Sequence, residues 1–463
     1  MKTIIIPVIS AIDKLFARSF LETDAFLEII KEPNVRLILL VSKNRLEYYR
    51  KEFKFDNVIF EILPEVKNFW SERFFKFLEA ASIHTRTVKI IHWTALKRKG
   101  AKKNILARTF IFFLSRLLWY AGQFRFWRNL IRRCYFLMPS CVFSEIFERF
   151  NPDLIFGPTL IFSENLFLKE AKKRKIKIIG MVWSWDNLYS KSLIRVHPDY
   201  LLAHTDSIAG QCVQLGDYSE KRISVIGVPQ YDRYFKKEGI EGRGEFIEKI
   251  DGNPAKKLIL YAFSGKAGLG IEFDILKIIH KIISEKKLSD KVQMLVRPYP
   301  RFDFSQEQLD GLKKKYGFLV HGATSQSGKD KDDWGMDREA ISFLTNSLAH
   351  ADIVVNMYST FFIEGAIFDK PLIGIAFDGE QKLDFWNSAV RFFEWDHLAD
   401  LKPLNGIWLV KSVEKLSVAI DKYLTKPAYQ KEGREKIVQQ QCQFIDGNSG
   451  KRLAQNILDF LKG

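Results

Sequence analysis

Polar residues at the ends of apolar runs are the first candidates for chemistry. In Asp352 to Asp378, D-I-V-V-N is followed by Tyr358-Ser359-Thr360 and then F-F-I-E-G-A-I-F-D. The β-branched run Ile353-Val354-Val355 predicts a buried parallel strand, and Phe361 to Asp369 a helix. Ser359 or Thr360 is placed to cap that helix with a hydroxyl. The free N–H groups and positive dipole end of such a helix make an anion site. Glu364, one turn in, suits a ribose, because a carboxylate accepts from two sugar hydroxyls. A capped β-α-β unit with a solvent-facing Glu364 is the plain alternative.

Three further stretches share this character. The strand Ile176 to Val182 ends in W-S-W-D-N, which sets Asp186 and Asn187 beside Trp183 and Trp185. Asp186 is a candidate general base, its pKa raised by aromatic surroundings; an Asx-turn at the strand end is the other reading. The strand from Lys257 runs into S-G-K-A-G-L-G, where Ser264, Gly265 and Lys266 let backbone and charge approach a phosphate. This is neither a Walker loop nor G-x-G-x-x-G. Arg297 ends the strand from Val292, stiffened by Pro298 and Pro300, and suits phosphate or base contacts unless it is a surface arginine in a proline turn. Arg18 and Asp24 border the loop after the first strand as acceptor-site candidates, with surface charge as the alternative. Asp332-Asp333 have no His or third fixed carboxylate beside them and read as a solvated loop, so no metal is expected.

The chain around these residues has 463 amino acids, 47% hydrophobic and 27% charged, which excludes a disordered chain. Its 72 Lys and Arg against 55 Asp and Glu give a net charge of +17 and point to an anionic partner. Four cysteines without a C-x-x-C pair build no zinc or disulfide framework and suit a reducing, cytoplasmic compartment. The apolar start, Thr3 to Ile9, is too short for a signal core and reads as strand one. No run of about eighteen apolar residues predicts a spanning helix.

Strands alternating with helices predict an α/β chain with parallel sheets. Residues 1–232 form a first Rossmann-like domain, expected to take the acceptor. A charged linker near 233 to 250 leads to a second, nucleotide-donor domain over 250–430. Residues 433–463 form a helix expected to cross back to the first. Trp386 to Asp396 and a strand from Ile407 to Val410 are expected to finish the second sheet. The rhythm breaks over about 85–140, where Lys97-Arg98-Lys99 and Lys102-Lys103 precede aromatic helical sequence. Arg125, Arg128 and Arg132 share one helical face there, so 97–133 suits an anionic membrane surface at the inner face of the plasma membrane. A buried helix pair with a solvated basic edge is the competing reading. Nucleic acid is not expected, because no reading module matches.

These runs resemble the GT-B glycosyltransferase fold, two Rossmann-like domains facing each other across a cleft. I-S-V-I-G-V-P-Q-Y-D (223–232) looks like the exit strand "viGnPryD". L-V-R-P-Y-P-R (295–301) looks like "lRpHPr" of CDP-glycerol glycerophosphotransferases. A-D-I-V-V-N-M-Y-S-T-F-F-I-E-G-A-I-F-D-K-P (351–371) is similar to the donor segment shared with UDP-N-acetylglucosamine 2-epimerases, and W-D-N-L-x-S-K to a segment of surface-polysaccharide proteins. The resemblance implies that Tyr358, Ser359 and Thr360 contact the donor, the latter two at its phosphates, and Glu364 its ribose. Arg297, Ser264 and Gly265 would neighbour the diphosphate. Trp185, Asn187 and Arg18, at the ligand edge of the first sheet, are read separately as acceptor or cleft residues. One departure stands out: Tyr299 replaces the histidine linked to phosphate handling. The expectation is therefore a metal-independent glycosyltransferase without a cofactor, moving a sugar from a nucleotide sugar to a glycan or lipid-linked acceptor. A CDP-glycerol-type polyol-phosphate transferase, a 2-epimerase-like enzyme and a non-catalytic lipid- or glycan-binding protein are the alternatives.

Overall fold

The computed structural model describes residues 1–8, 16–66, 70–98, 104–161, 164–265, 269–299, 304–321 and 338–463. The expectations for Lys266, Pro300, Asp332-Asp333, the cluster 99–103 and most of the loop after strand one lie outside these residues. Two compact units emerge. One is Met1–Asp232 with Gln440–Gly463, the other Arg233–Gln439.

In the first unit the described strands are β1 (Lys2–Pro7), β2 (Val35–Val41), β3 (Val58–Ile62), β4 (Leu154–Gly157), β5 (Lys177–Met181), β6 (Tyr200–Ala203) and β7 (Ile223–Val225). They pair in parallel in the order β3-β2-β1-β4-β5-β6-β7. Successive side chains of a strand point to opposite faces, so an unbroken apolar run feeds two cores. Ile5 and Ile38 enter one core, and Ile4, Ile6, Leu37 and Leu39 the other. The second core is closed by the last helix, Ser449–Lys462, through Leu453, Ile457 and Leu461. Asp232, which ends the I-S-V-I-G-V-P-Q-Y-D run, caps that helix: its carboxylate accepts from the N–H groups of Ser449 and Gly450 at 3.0 and 2.7 Å.

Helices Trp70–Ser82, Arg86–Lys97, Ile105–Ala121 and Arg125–Leu137 lie between β3 and β4 in the chain. Here the structure corrects the sequence reading. The arginine stripe does not face outward. Arg128 and Arg132 are buried and share Asp217, at 2.8 and 2.6 Å, and Arg132 also donates to the Leu193 and Gly216 carbonyls. Arg125 is left largely in solvent. A carboxylate with several backbone carbonyls satisfies buried guanidinium donors that an apolar core would leave unpaired.

The second unit carries β8 (Lys257–Ala262), β9 (Val292–Arg297), β10 (Leu319–Val320), β11 (Ile353–Asn356), β12 (Leu372–Ile375) and β13 (Trp408–Val410). Their parallel order is β10-β9-β8-β11-β12-β13. Three expected features differ. The 233–250 stretch is not an open linker: it holds helix Arg243–Lys249, and Arg243 reaches Asp352 at 2.8 Å. Trp386 to Asp396 adds no strand; Ser388 accepts from Val390 N–H and starts a tight 3-10 turn. The C-terminal sequence is two helices, Lys431–Cys442 and Ser449–Lys462, separated where Gln443 takes a positive φ of 65°. Both units are therefore parallel α/β sheets of the GT-B type, and both reverse strand order beside their first strand.

Candidate functional site

Open α/β sheets bind ligands outside the carboxyl ends of their strands, at the point where strand order reverses. In the second unit that point lies between β8 and β11. Ser264 follows β8 and ties the two strand ends together. Its hydroxyl accepts from the N–H groups of Met357 and Tyr358, at 3.2 and 3.1 Å, and lies 3.1 Å from Asn356 Oδ1. Asn356 donates back to the Ala262 carbonyl at 2.7 Å. The Ser264 hydroxyl is thus engaged with the protein, and its part in the site is to hold two loops in register. Its N–H donates to Glu272 Oε1 at 2.8 Å, from helix Leu269–Glu285. Glu272 is buried, and desolvation, opposed by the Ser264 bonds, pushes its pKa up to about 8.

Gly265 has a φ of +130°, which side chains rarely adopt; a Cβ there would lie 3.6 Å from the Tyr299 ring and 3.8 Å from the Tyr358 hydroxyl. Tyr358 stacks on Phe392 at 3.7 Å between centroids. A backbone patch, two tyrosines and the end of β9 therefore share one corner. Arg297, the last residue of β9, is buried with its guanidinium 5.4 Å from the Phe361 ring centroid. Phe361 opens helix Phe361–Ile367, in which Thr360 is the first cap residue. The cap hydrogen bond comes from Ser359, whose hydroxyl accepts from Phe361 N–H at 3.3 Å, and the Thr360 hydroxyl makes none. One turn on, Glu364 is buried and its Oε2 accepts from the Tyr234 hydroxyl at 3.1 Å. A solvent-facing Glu364 is excluded.

Ser264, Gly265, Arg297, Tyr358, Ser359, Thr360 and Glu364 thus belong to one sheet edge of the second unit. Tyr234, Glu272, Asn356 and Phe361 belong to the same constellation and were not singled out from sequence. Glu272 had a weak signal: an acid set between the apolar Ile271 and Phe273. Tyr234 had none, because its partner lies 130 positions away.

The candidates of the first unit sit at its own sheet edge. Asp186 follows β5, and its carboxylate is held by two donors. Ser184 donates to it at 2.7 Å and the Lys191 ammonium at 2.8 Å. Asn187 is buried and donates to the Thr159 carbonyl after β4, at 3.2 Å. Glu164 grips the same loop, accepting from the Thr159 and Leu160 N–H groups, and burial pushes its pKa up to about 7. Trp185 packs partly on the core. Arg18 is buried in the turn Ala17–Leu21, which excludes surface charge as its role. Among the described residues no cluster of three His, Cys, Asp or Glu side chains is arranged to hold a metal.

Comparison with known proteins defines the class. The profile of the CDP-glycerol:poly(glycerophosphate) glycerophosphotransferases matches residues 190–459. That is more than half of the chain, and the protein belongs to this transferase family. Curated protein sequences give no match. Solved structures similar to it include UDP-GlcNAc 2-epimerase from Neisseria meningitidis bound to UDP-GlcNAc, 11% identical, with 99% of this chain and 100% of that one covered and a TM-score of 0.55. A glycosyltransferase from Rickettsia africae is 13% identical over 99% of this chain and 98% of that one, with a TM-score of 0.51. The wall teichoic acid polymerase TagF is 12% identical over 100% and 88%, with a TM-score of 0.50. At these identities the likeness is one of fold.

Proposed function

We propose that the protein transfers a sugar from a nucleotide-sugar donor to a cell-surface glycan or lipid-linked acceptor, as a GT-B glycosyltransferase. The observation that carries this reading is the tied corner between β8 and β11, where the backbone of Gly265 lies against the Tyr299 and Tyr358 side chains and Arg297 is buried alongside. A nucleoside diphosphate has the matching parts: a base to stack, a ribose for Glu364 and a diphosphate for Arg297. Charge develops on the leaving diphosphate, and a fixed guanidinium stabilises it without the reorganisation that water would need. We assign these steps to the chain's own residues, with no metal. On the first sheet, Asp186 is the base that takes the acceptor hydroxyl's proton if transfer inverts the sugar. Four free cysteines support a reducing, cytoplasmic setting.

Family membership favours a second reading, transfer of a polyol phosphate from a CDP-linked donor. Tyr299, in place of the histidine of the R-P-H-P segment, favours the sugar. Incubation with UDP-, GDP- and CMP-sugars and with CDP-glycerol, followed by nucleotide release, separates the two. Release from a nucleotide sugar supports sugar transfer; release from CDP-glycerol alone overturns it.

A further inference from the structure

The helices between β3 and β4 contain a segment turned inside out. In helix Arg125–Leu137 the arginines at 128 and 132 are each 9% exposed and paired with Asp217, whereas Phe126 is 77% exposed and Leu137 78%. In helix Ile105–Ala121 one face, Leu106, Phe110, Phe113 and Leu117, is between 66% and 75% exposed; Phe112, Leu118 and Trp119 are turned inward. Four outward apolar residues at i, i+4, i+7 and i+11 form a continuous stripe along three turns. Soluble surfaces rarely present such a stripe, because about 0.8 kcal/mol of transfer energy is forgone for each CH₂ left in water.

The charge along this segment has one sign. From 80 to 144 the sequence contains thirteen Lys and Arg and no Asp or Glu. Arg128 and Arg132 are neutralised internally; Arg86, Lys89, Lys97, Arg98 and Arg133 stand exposed. An open, mainly apolar groove of about 600 Å³ lies beside the stripe, lined by Trp93, Leu96, Phe112 and Phe113 with Lys89 and Arg116 at hand. No single described helix is long and apolar enough to cross a membrane, and the two helices meet at a bend of 109°. An outward apolar face on helices each too short to cross a membrane alone, in a segment with basic residues and no acid, matches an anionic bilayer surface.

We infer that helices Ile105–Ala121 and Arg125–Leu137 form an interfacial anchor, with the stripe Leu106, Phe110, Phe113 and Leu117 and the ring of Phe126 inserted among the acyl chains of an anionic bilayer, and the basic residues on its headgroup phosphates. This docking is independent of the group the enzyme transfers. Two of the three arginines from which sequence suggested membrane contact, Arg128 and Arg132, point inward to Asp217, and the aromatic face of the helix is left outward.

Vesicle flotation of the full chain tests the inference, with phosphatidylcholine vesicles with and without phosphatidylglycerol, at low and high salt. The wild type floats with anionic vesicles, less so at high salt. The double variant Phe110→Asp/Leu117→Asp partitions roughly a hundredfold less, since two large apolar side chains lose burial. Phe126→Asp on the second helix weakens flotation as well. All these positions are exposed, so thermal unfolding of the variants stays near the wild type. Wild type that fails to float, or variants that float undiminished, overturns the inference. So does a dimer in light scattering that Phe110→Asp/Leu117→Asp dissolves, since that assigns the stripe to a second copy.

Discussion

Ser264 shows how a residue serves a site by holding its walls together. Its hydroxyl accepts from two backbone N–H groups and adjoins Asn356, so its removal leaves the Met357 and Tyr358 amides without that acceptor. Ser264→Ala should therefore lower unfolding free energy by about 1–3 kcal/mol in urea titration and loosen nucleotide binding with it. An unchanged midpoint would show that these amides find other partners. Sequence marked Ser264, Gly265, Arg297, Tyr358, Ser359, Thr360 and Glu364 because each ends a strand or opens a helix, and local spacing is enough for that. It did not give their division of labour. Whether a serine binds a phosphate or two amides depends on Asn356 and Tyr358, some 90 positions away. The setting of Asp186 was hidden for the same reason. Its neighbours in sequence are tryptophans, but its neighbours in space are Ser184 and Lys191.

At the scale of elements, the two sheets use one device twice. A buried glutamate from the helix after a strand accepts the N–H groups of the loop it follows: Glu164 after β4 and Glu272 after β8. Burial raises both pKa values, to about 7 and about 8, from 4.5. Between pH 4.5 and those values the folded chain holds protons that the unfolded chain has released. The stability that these groups contribute is thus complete below pH 4.5 and falls as pH rises, by at most about 1.4 kcal/mol per unit for each. Urea midpoints from pH 5 to pH 8 (about the range that the two values span) should fall less for Glu272→Gln than for the wild type. Parallel slopes would contradict the assignment. The Asp232 cap gives a second test. Asp232→Ala frees the Ser449 and Gly450 amides and should lower stability by about 1–2 kcal/mol in the same titration. The strands were legible because parallel strands are continuous apolar runs, as 353–355 illustrates. The polarity of helix Arg125–Leu137 was not. Three arginines on one face read as a solvated edge until Asp217 and the carbonyls of Leu193 and Gly216 are seen to enclose two of them.

For the molecule as a whole, the first unit is built from both ends of the chain, since the last helix fills a core that β1 and β2 begin. Family membership and fold together make it a transferase of the GT-B type, and the tied corner of the second unit is where its donor is proposed to bind. A ligand that binds only the folded state raises the melting temperature by mass action. Isothermal titration with UDP, GDP and CDP, on the wild type, Arg297→Lys and Glu364→Gln, tests that claim most directly. The account predicts that one of the three diphosphates binds the wild type. Arg297→Lys, losing a planar fork that ammonium does not replace, and Glu364→Gln, losing a charged acceptor, should each bind it about tenfold or more weakly while keeping the wild-type melting temperature without ligand. Binding of equal strength by both folded variants, or no binding of any nucleoside diphosphate by the wild type, would contradict it.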